Sequence, residues 1–326
     1  MIPLNSIMVW SRGALLWPAR GFYAENVPFR PPSPPERQAA LGPTCGLPEP
    51  LRRILEAGED FQPLPEPGPH DWLANQVEPG QTFPQFVESH PQRPEPHRNI
   101  LYLQPLGEFP CGQAPPLDQL RRFAAAFFMM NAQLLPPVDP ASTRITQRRN
   151  RWTGRVQWLT GDLLELLRRR RPPDAFALLG ITMTDLYPEP GWNFAFGQAW
   201  VNERVGVYSF ARYDPQFYGE PRKADWMRLL LRRSIKVLAH EIGHMCGLAH
   251  CIWYRCLMNG SNHLEESDAR PLHLCPVDLR KLHWSLGFDV VQRYRRLLDF
   301  HRAAGFDDEA QWIERRLARI EGAARC

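Results

Sequence analysis

An α/β (α+β) fold is what the sequence predicts, and three observations carry it. Strand-like and helix-like segments alternate through the first two thirds of the chain. A near-continuous apolar run, Ala175–Asp185, has the length of a central strand buried on both faces. A long helix over Ala224–Cys246 follows, and helices dominate after it, so the C-terminal part is predicted to be helical.

In chain order, residues 26–50 are Pro-rich and aperiodic and read as an extended, unstructured stretch. Residues 62–98 are similar around a more ordered island, Asp71–Val87. Asn99–Gln104 (NILYLQ) reads as the first strand. A helix is predicted over Leu117–Leu135, its apolar face built from Leu120, Phe123, Ala124, Phe127 and Phe128, with Pro136 and Pro137 ending it. Arg144–Gln157 reads as extended, and Thr160 as the N-cap of a helix reaching Arg170. Strands follow at Asn193–Ala199 and Gly206–Ala211. Beyond the long helix come helices at Val277–Trp284, Val290–Ala303 and Asp308–Ala318. The expected organisation is a disordered segment over 1–48, a catalytic domain over 49–305, and a C-terminal helix within 306–326.

Composition excludes some partners. The formal charge is only +4, so no global basic field calls for nucleic acid or a membrane surface. The arginine clusters Arg144–Arg155, Arg168–Arg171 and Arg228–Arg233 are the residues a nucleic-acid reading would use. Arg168–Arg171 instead ends a helix, where cations complement the dipole, and Arg228–Arg233 reads as a solvated face. No apolar run approaches the ~20 residues that span a bilayer. Among the first 24 residues Arg12 and Arg20 precede any acid, which has the look of a mitochondrial presequence; an unstructured N-terminus is the preferred reading. Four of seven cysteines, Cys246, Cys251, Cys256 and Cys275, crowd one region beside histidines. That pattern reads as metal binding in a reducing compartment, cytoplasmic or nuclear, rather than as a disulfide framework.

The chemistry lies in His240-Glu241-Ile242-Gly243-His244-Met245-Cys246-Gly247-Leu248-Ala249-His250. Residues four apart share a helix face, so His240 and His244 can each point a ring nitrogen at one Zn²⁺. Gly247 can adopt the left-handed backbone that ends helices, letting the chain turn back and bring His250 in as third ligand. Three protein ligands leave a position open, the mark of catalytic rather than structural zinc. Glu241, beside His240, is then placed to act as base on a zinc-bound water. Five fixed positions in eleven residues arise by chance with a probability on the order of 10⁻⁵, which favours ligands over ordinary helix histidines. The extended spacing is the metzincin signature, and Met258, in a turn before Asn259-Gly260, suits the apolar floor beneath such a metal. A second cluster, Cys251, Cys256 and Cys275, reads as a structural zinc site with Asp278 or His273 as fourth ligand; three buried thiols without metal is the plain alternative.

Together these residues resemble the archaemetzincins, whose pattern H-E-x-x-H-x-x-G-x-x-H-C, four residues, C-x-M, then C-x-x-C is matched up to Cys275. Asp278 stands in place of the last cysteine. The segments GITMTDLYPEPGWNFAFGQA and CLMNGSNHLEESDARPLHLCPV are similar to the family too. The resemblance implies a metzincin-like αβα catalytic domain with a mixed twisted sheet above the active-site helix. It implies His240, His244 and His250 on a catalytic zinc, Glu241 as base, and Cys251, Cys256 and Cys275 on a second zinc. It also implies a zinc metallopeptidase active on short peptides. By analogy, the GVYSFA strand would rim the cleft and pair with an extended peptide. The alternative function is a catalytically weak or inactive zinc-stabilised binding protein.

Overall fold

The structure is a computed structural model that describes residues 9–10 and 29–322. The reading of residues 1–24 as unstructured or as a presequence therefore falls, Val9–Trp10 apart, outside the described residues. Two compact units emerge among the described residues, one comprising Pro94–Met245 with Val9–Trp10, the other residues 29–93 and 246–322.

The first unit holds the sheets. Its strands are β1 (Val9–Trp10), β2 (Ile100–Leu106), β3 (Asn131–Leu134), β4 (Gln147–Arg149), β5 (Val156–Leu159), β6 (Ala175–Thr182), β7 (Asp185–Tyr187), β8 (Gly197–Trp200) and β9 (Val205–Ser209). A six-stranded sheet runs in the order β1-β8-β9-β6-β2-β3, and β4-β5-β7 form a smaller one. β6 is buried at all eight positions and pairs in parallel with β2 and β9, as a central strand should. β8 runs antiparallel to β9, which makes the sheet mixed and the fold α/β as predicted. The helix Thr160–Arg170 presents Leu163, Leu164 and Leu167 to a core shared with Leu106, Leu178 and Val207. The long helix runs Trp226–Met245 and is buried without a break from Ser234 to Met245.

Three expectations in this unit are corrected. The helix begun at Leu117 stops at Phe128, because Met129 turns left-handed (φ +54), and Asn131–Leu134 is then a strand parallel to β2. Thr160 is the first helical residue rather than the cap, which is Leu159; its hydroxyl pairs with Gln198 instead. The GVYSFA strand cannot take an added peptide strand, because β9 is hydrogen-bonded to β8 on one side and β6 on the other.

The second unit is helical. Within the stretch predicted as extended, Pro34–Leu41 is a helix, and a second, Glu49–Leu55, begins at its end. Prolines at a first helical turn lose no hydrogen bond, and the Glu36 carboxylate accepts the Ser33 N–H at 2.7 Å. The Asp71–Val87 island carries two short helices, Trp72–Asn75 and Phe83–Glu88. Pro34–Leu41, Glu49–Leu55 and Phe83–Glu88 pack on the helix Pro276–Leu286, while Val290–Ala304 and Asp307–Gly322 pack on one another. No helix among the described residues is long and apolar enough to cross a membrane.

Candidate metal centres

The long helix brings His240 and His244 face to face. Their Nε2 atoms are 2.9 Å apart and the rings meet edge to face. Both side chains are buried. Two ring nitrogens at that separation repel as lone pairs unless a proton or a cation lies between them, so the pair fits a metal. Glu241 is buried one residue on, and its charge, after burial, holds the Tyr208 phenol well above its usual range. Gly247 has φ +88, as the turn requires, and a Cβ there would lie 2.6 Å from Pro91.

His250 is buried and its Nδ1 lies 2.7 Å from Oε1 of Glu78. The same oxygen accepts the Trp72 indole N–H at 2.8 Å, and the Trp72 ring meets the His250 ring edge to face at 5.1 Å. The His240–His244 pair suits one Zn²⁺, whose bonds to nitrogen are about 2.0–2.1 Å.

A second group joins Cys251, Cys256, Cys275 and Asp278, all buried and all within 4.8 Å. The Cys251 and Cys275 sulfurs are 3.5 Å apart, and Asp278 Oδ2 lies 3.3 Å from Cys256 and 3.6 Å from Cys275. The loop is knitted by Asn259, which accepts the Cys256 N–H and donates to the Cys251 and Tyr254 carbonyls. Cys275 caps the helix Pro276–Leu286, so its first turn carries Asp278 back onto the sulfurs. The other Asp278 oxygen, Oδ1, takes the ammonium of fully buried Lys281 at 2.9 Å. Burial, then the charge of Cys251, pushes the Asp278 carboxyl up to about 7, and burial drives the Cys256 and Cys275 thiols well up. Against burial, hydrogen bonds from Cys256 and Cys275 pull Cys251 well down. Four such donors would carry four negative charges against the single Lys281 ammonium, so their joint ionisation calls for a further cation and this set also fits zinc.

His273, the other fourth-ligand candidate, is elsewhere. It stacks on Trp312 at 3.7 Å, with Nδ1 3.4 Å from Glu309. Met258 is fully buried, and its carbonyl accepts the Cys251 N–H. A third group, Asp71, His263 and Glu266, has its donor atoms taken by local bonds. His263 Nδ1 accepts the Glu266 N–H, Asp71 Oδ2 accepts from Gly68, and both Glu266 oxygens accept backbone N–H groups. That group is a clasp between loops. Sequence reading missed Glu78, Trp72 and Lys281. Glu78 lies 172 residues from His250 within the island Asp71–Val87, and no spacing signalled it.

Residues 150–284 match the model of peptidase family M54. Archaemetzincin-2 of Macaca fascicularis is 40% identical over 282 residues, which cover 78% of this chain and 77% of that protein. Archaemetzincin-1 of Homo sapiens is 36% identical over 72% of this chain and 52% of its own. A solved archaemetzincin from Methanopyrus kandleri is 29% identical, covering 60% of this chain and 99% of its own, at a TM-score of 0.44. With 40% identity sustained over more than three quarters of a relative's length, the chain belongs to the archaemetzincins, peptidase family M54, and is a zinc metallopeptidase.

Proposed function

We propose that the chain hydrolyses peptide bonds of short peptides at a zinc held by His240, His244 and His250, with Glu241 as general base. The observation that carries this reading is the pair of buried Nε2 atoms 2.9 Å apart on the helix that also bears Glu241. When bound, zinc supplies a Lewis acid for the scissile carbonyl and acidifies water towards a pKa of ~7. Glu241 takes the proton of the attacking water and returns it to the leaving amine. Short peptides as the substrate class follow from the family resemblance.

The same reading gives Cys251, Cys256, Cys275 and Asp278 a second, structural zinc, and Met258 the apolar floor under the first. Residues 49–305 then act as the peptidase domain. Free thiols concentrated at a metal site suit the cytoplasm or nucleus. Neither nucleic acid nor membrane enters as a partner.

Glu241→Ala tests the assignment. Zinc content should stay at the parent value while cleavage of a peptide library falls by about 10²–10⁴-fold. Equal activity in variant and parent refutes the base. No cleavage by the parent at any zinc level would favour a zinc-stabilised binding protein.

A further inference from the structure

Around His250 the second unit places a strap, residues 72–81, whose contacts converge on one side chain and the turn before it. Glu78 Oε1 holds His250 Nδ1 at 2.7 Å. The Trp72 indole donates to that same oxygen and packs its ring edge-on against the imidazole. Trp72 is itself fixed. Its backbone N–H donates to Glu266 at 2.8 Å, and its ring lies so close to Gly260 that a Cβ there would sit 2.5 Å away. Three residues past Glu78, the Gln81 side chain spans the turn that delivers His250. Its Nε2 donates to the Gly247 carbonyl and its Oε1 accepts the Ala249 N–H, each at 3.2 Å.

We infer that this strap is a positioning device for the third zinc ligand: Glu78 fixes the His250 tautomer and ring angle, and Gln81 fixes the backbone beneath it. The inference rests on the reading of His250 as a ligand. With Nδ1–H donated to a carboxylate, the ring presents Nε2 to the metal and its basicity rises, as carboxylate partners do for zinc histidines. Neither residue touches substrate in this role. Both act through His250.

The test uses the full-length protein with the cysteine site intact. Zinc dissociation constants would be measured by competition with a chromophoric chelator, and visible spectra recorded after cobalt substitution. Glu78→Gln should weaken one of the two zincs about 10- to 100-fold and alter the cobalt bands, while the apo protein melts near the parent temperature. Trp72→Phe, which keeps the carboxylate and removes only the indole donor, should change affinity much less. An unchanged affinity and unchanged cobalt spectrum in folded Glu78→Gln overturns the inference. Should that variant fail to fold, ¹⁵N-histidine NMR of the parent decides: a zinc-bound Nε2 with a protonated Nδ1 on His250 supports the strap, and the opposite tautomer sinks it. His250→Ala separates the two claims. Loss of one zinc there, with none in Glu78→Gln, overturns only the strap; no loss in His250→Ala overturns the ligand reading itself.

Discussion

Asp278 stands three residues past Cys275, where a C-x-x-C pair would place its second cysteine. A carboxylate is a harder donor than a thiolate, and it ionises with far less help. Three thiolates and a carboxylate around a divalent ion leave two negative charges; the buried Lys281 ammonium, 2.9 Å from Asp278, reduces them to one. Lys281 also claims Oδ1, which leaves Oδ2 facing the sulfurs, so the aspartate is set to bind through one oxygen. Purified protein should therefore carry two zincs and Asp278→Ala one, as counted by elemental analysis. Asp278→Cys should keep both and shift the site's preference toward cadmium over zinc, since softer donors favour the softer ion. Two zincs retained in Asp278→Ala would remove the aspartate from the ligand set.

Among the elements, the small sheet is stitched by one buried ion pair. Asp185 opens β7 and takes both arms of Arg212 at 2.8 Å, while Gln157 on β5 donates to the same carboxylate. The guanidinium also lies over the Phe194 and Phe217 rings. Removing one partner strands a buried charge, so Asp185→Ala should cost about 3–5 kcal/mol in urea unfolding, with Asp185→Asn costing less. A loss under about 1 kcal/mol would mean the pair is dispensable. Nothing in the sequence marked this pair, because its members lie 27 residues apart and Asp185 reads simply as the polar end of an apolar run. β6 and the long helix were legible for the opposite reason: burial on all sides, or a sustained helical period, writes itself into consecutive residues. The stretch after Phe128 misled because Leu134 and Leu135 continue the helical pattern, while the break depends on a left-handed methionine rather than a glycine. The two proposed zinc sites divide likewise. The histidine motif and the cysteine spacing are local text, whereas Glu78 and Lys281 declare their roles only once the chain is folded.

At the scale of the whole chain, the second unit is assembled from stretches far apart in sequence, and charged residues of the last helix hold the earlier segments. Arg316 donates to Asp60 and to the Ile54 and Glu56 carbonyls. Glu309 accepts the Leu272 N–H at 2.9 Å and lies 3.4 Å from Nδ1 of His273, two residues before Cys275 of the sulfur site. Burial alone would raise the Glu309 carboxyl, but the hydrogen bonds from His273 and Leu272 outweigh it and set it below the usual 4.5. A carboxyl whose pKa is lower folded than unfolded stabilises the fold above the unfolded value, and that contribution is lost as pH falls through the folded one. Metal-free parent protein should therefore unfold at a urea midpoint that drops from pH 6 to pH 3 more steeply than that of Glu309→Gln. The two curves should be furthest apart near pH 6 and draw together below about pH 4.5. Comparing the two removes acid effects common to both. Parallel curves across that range would show that Glu309 contributes by shape rather than by charge.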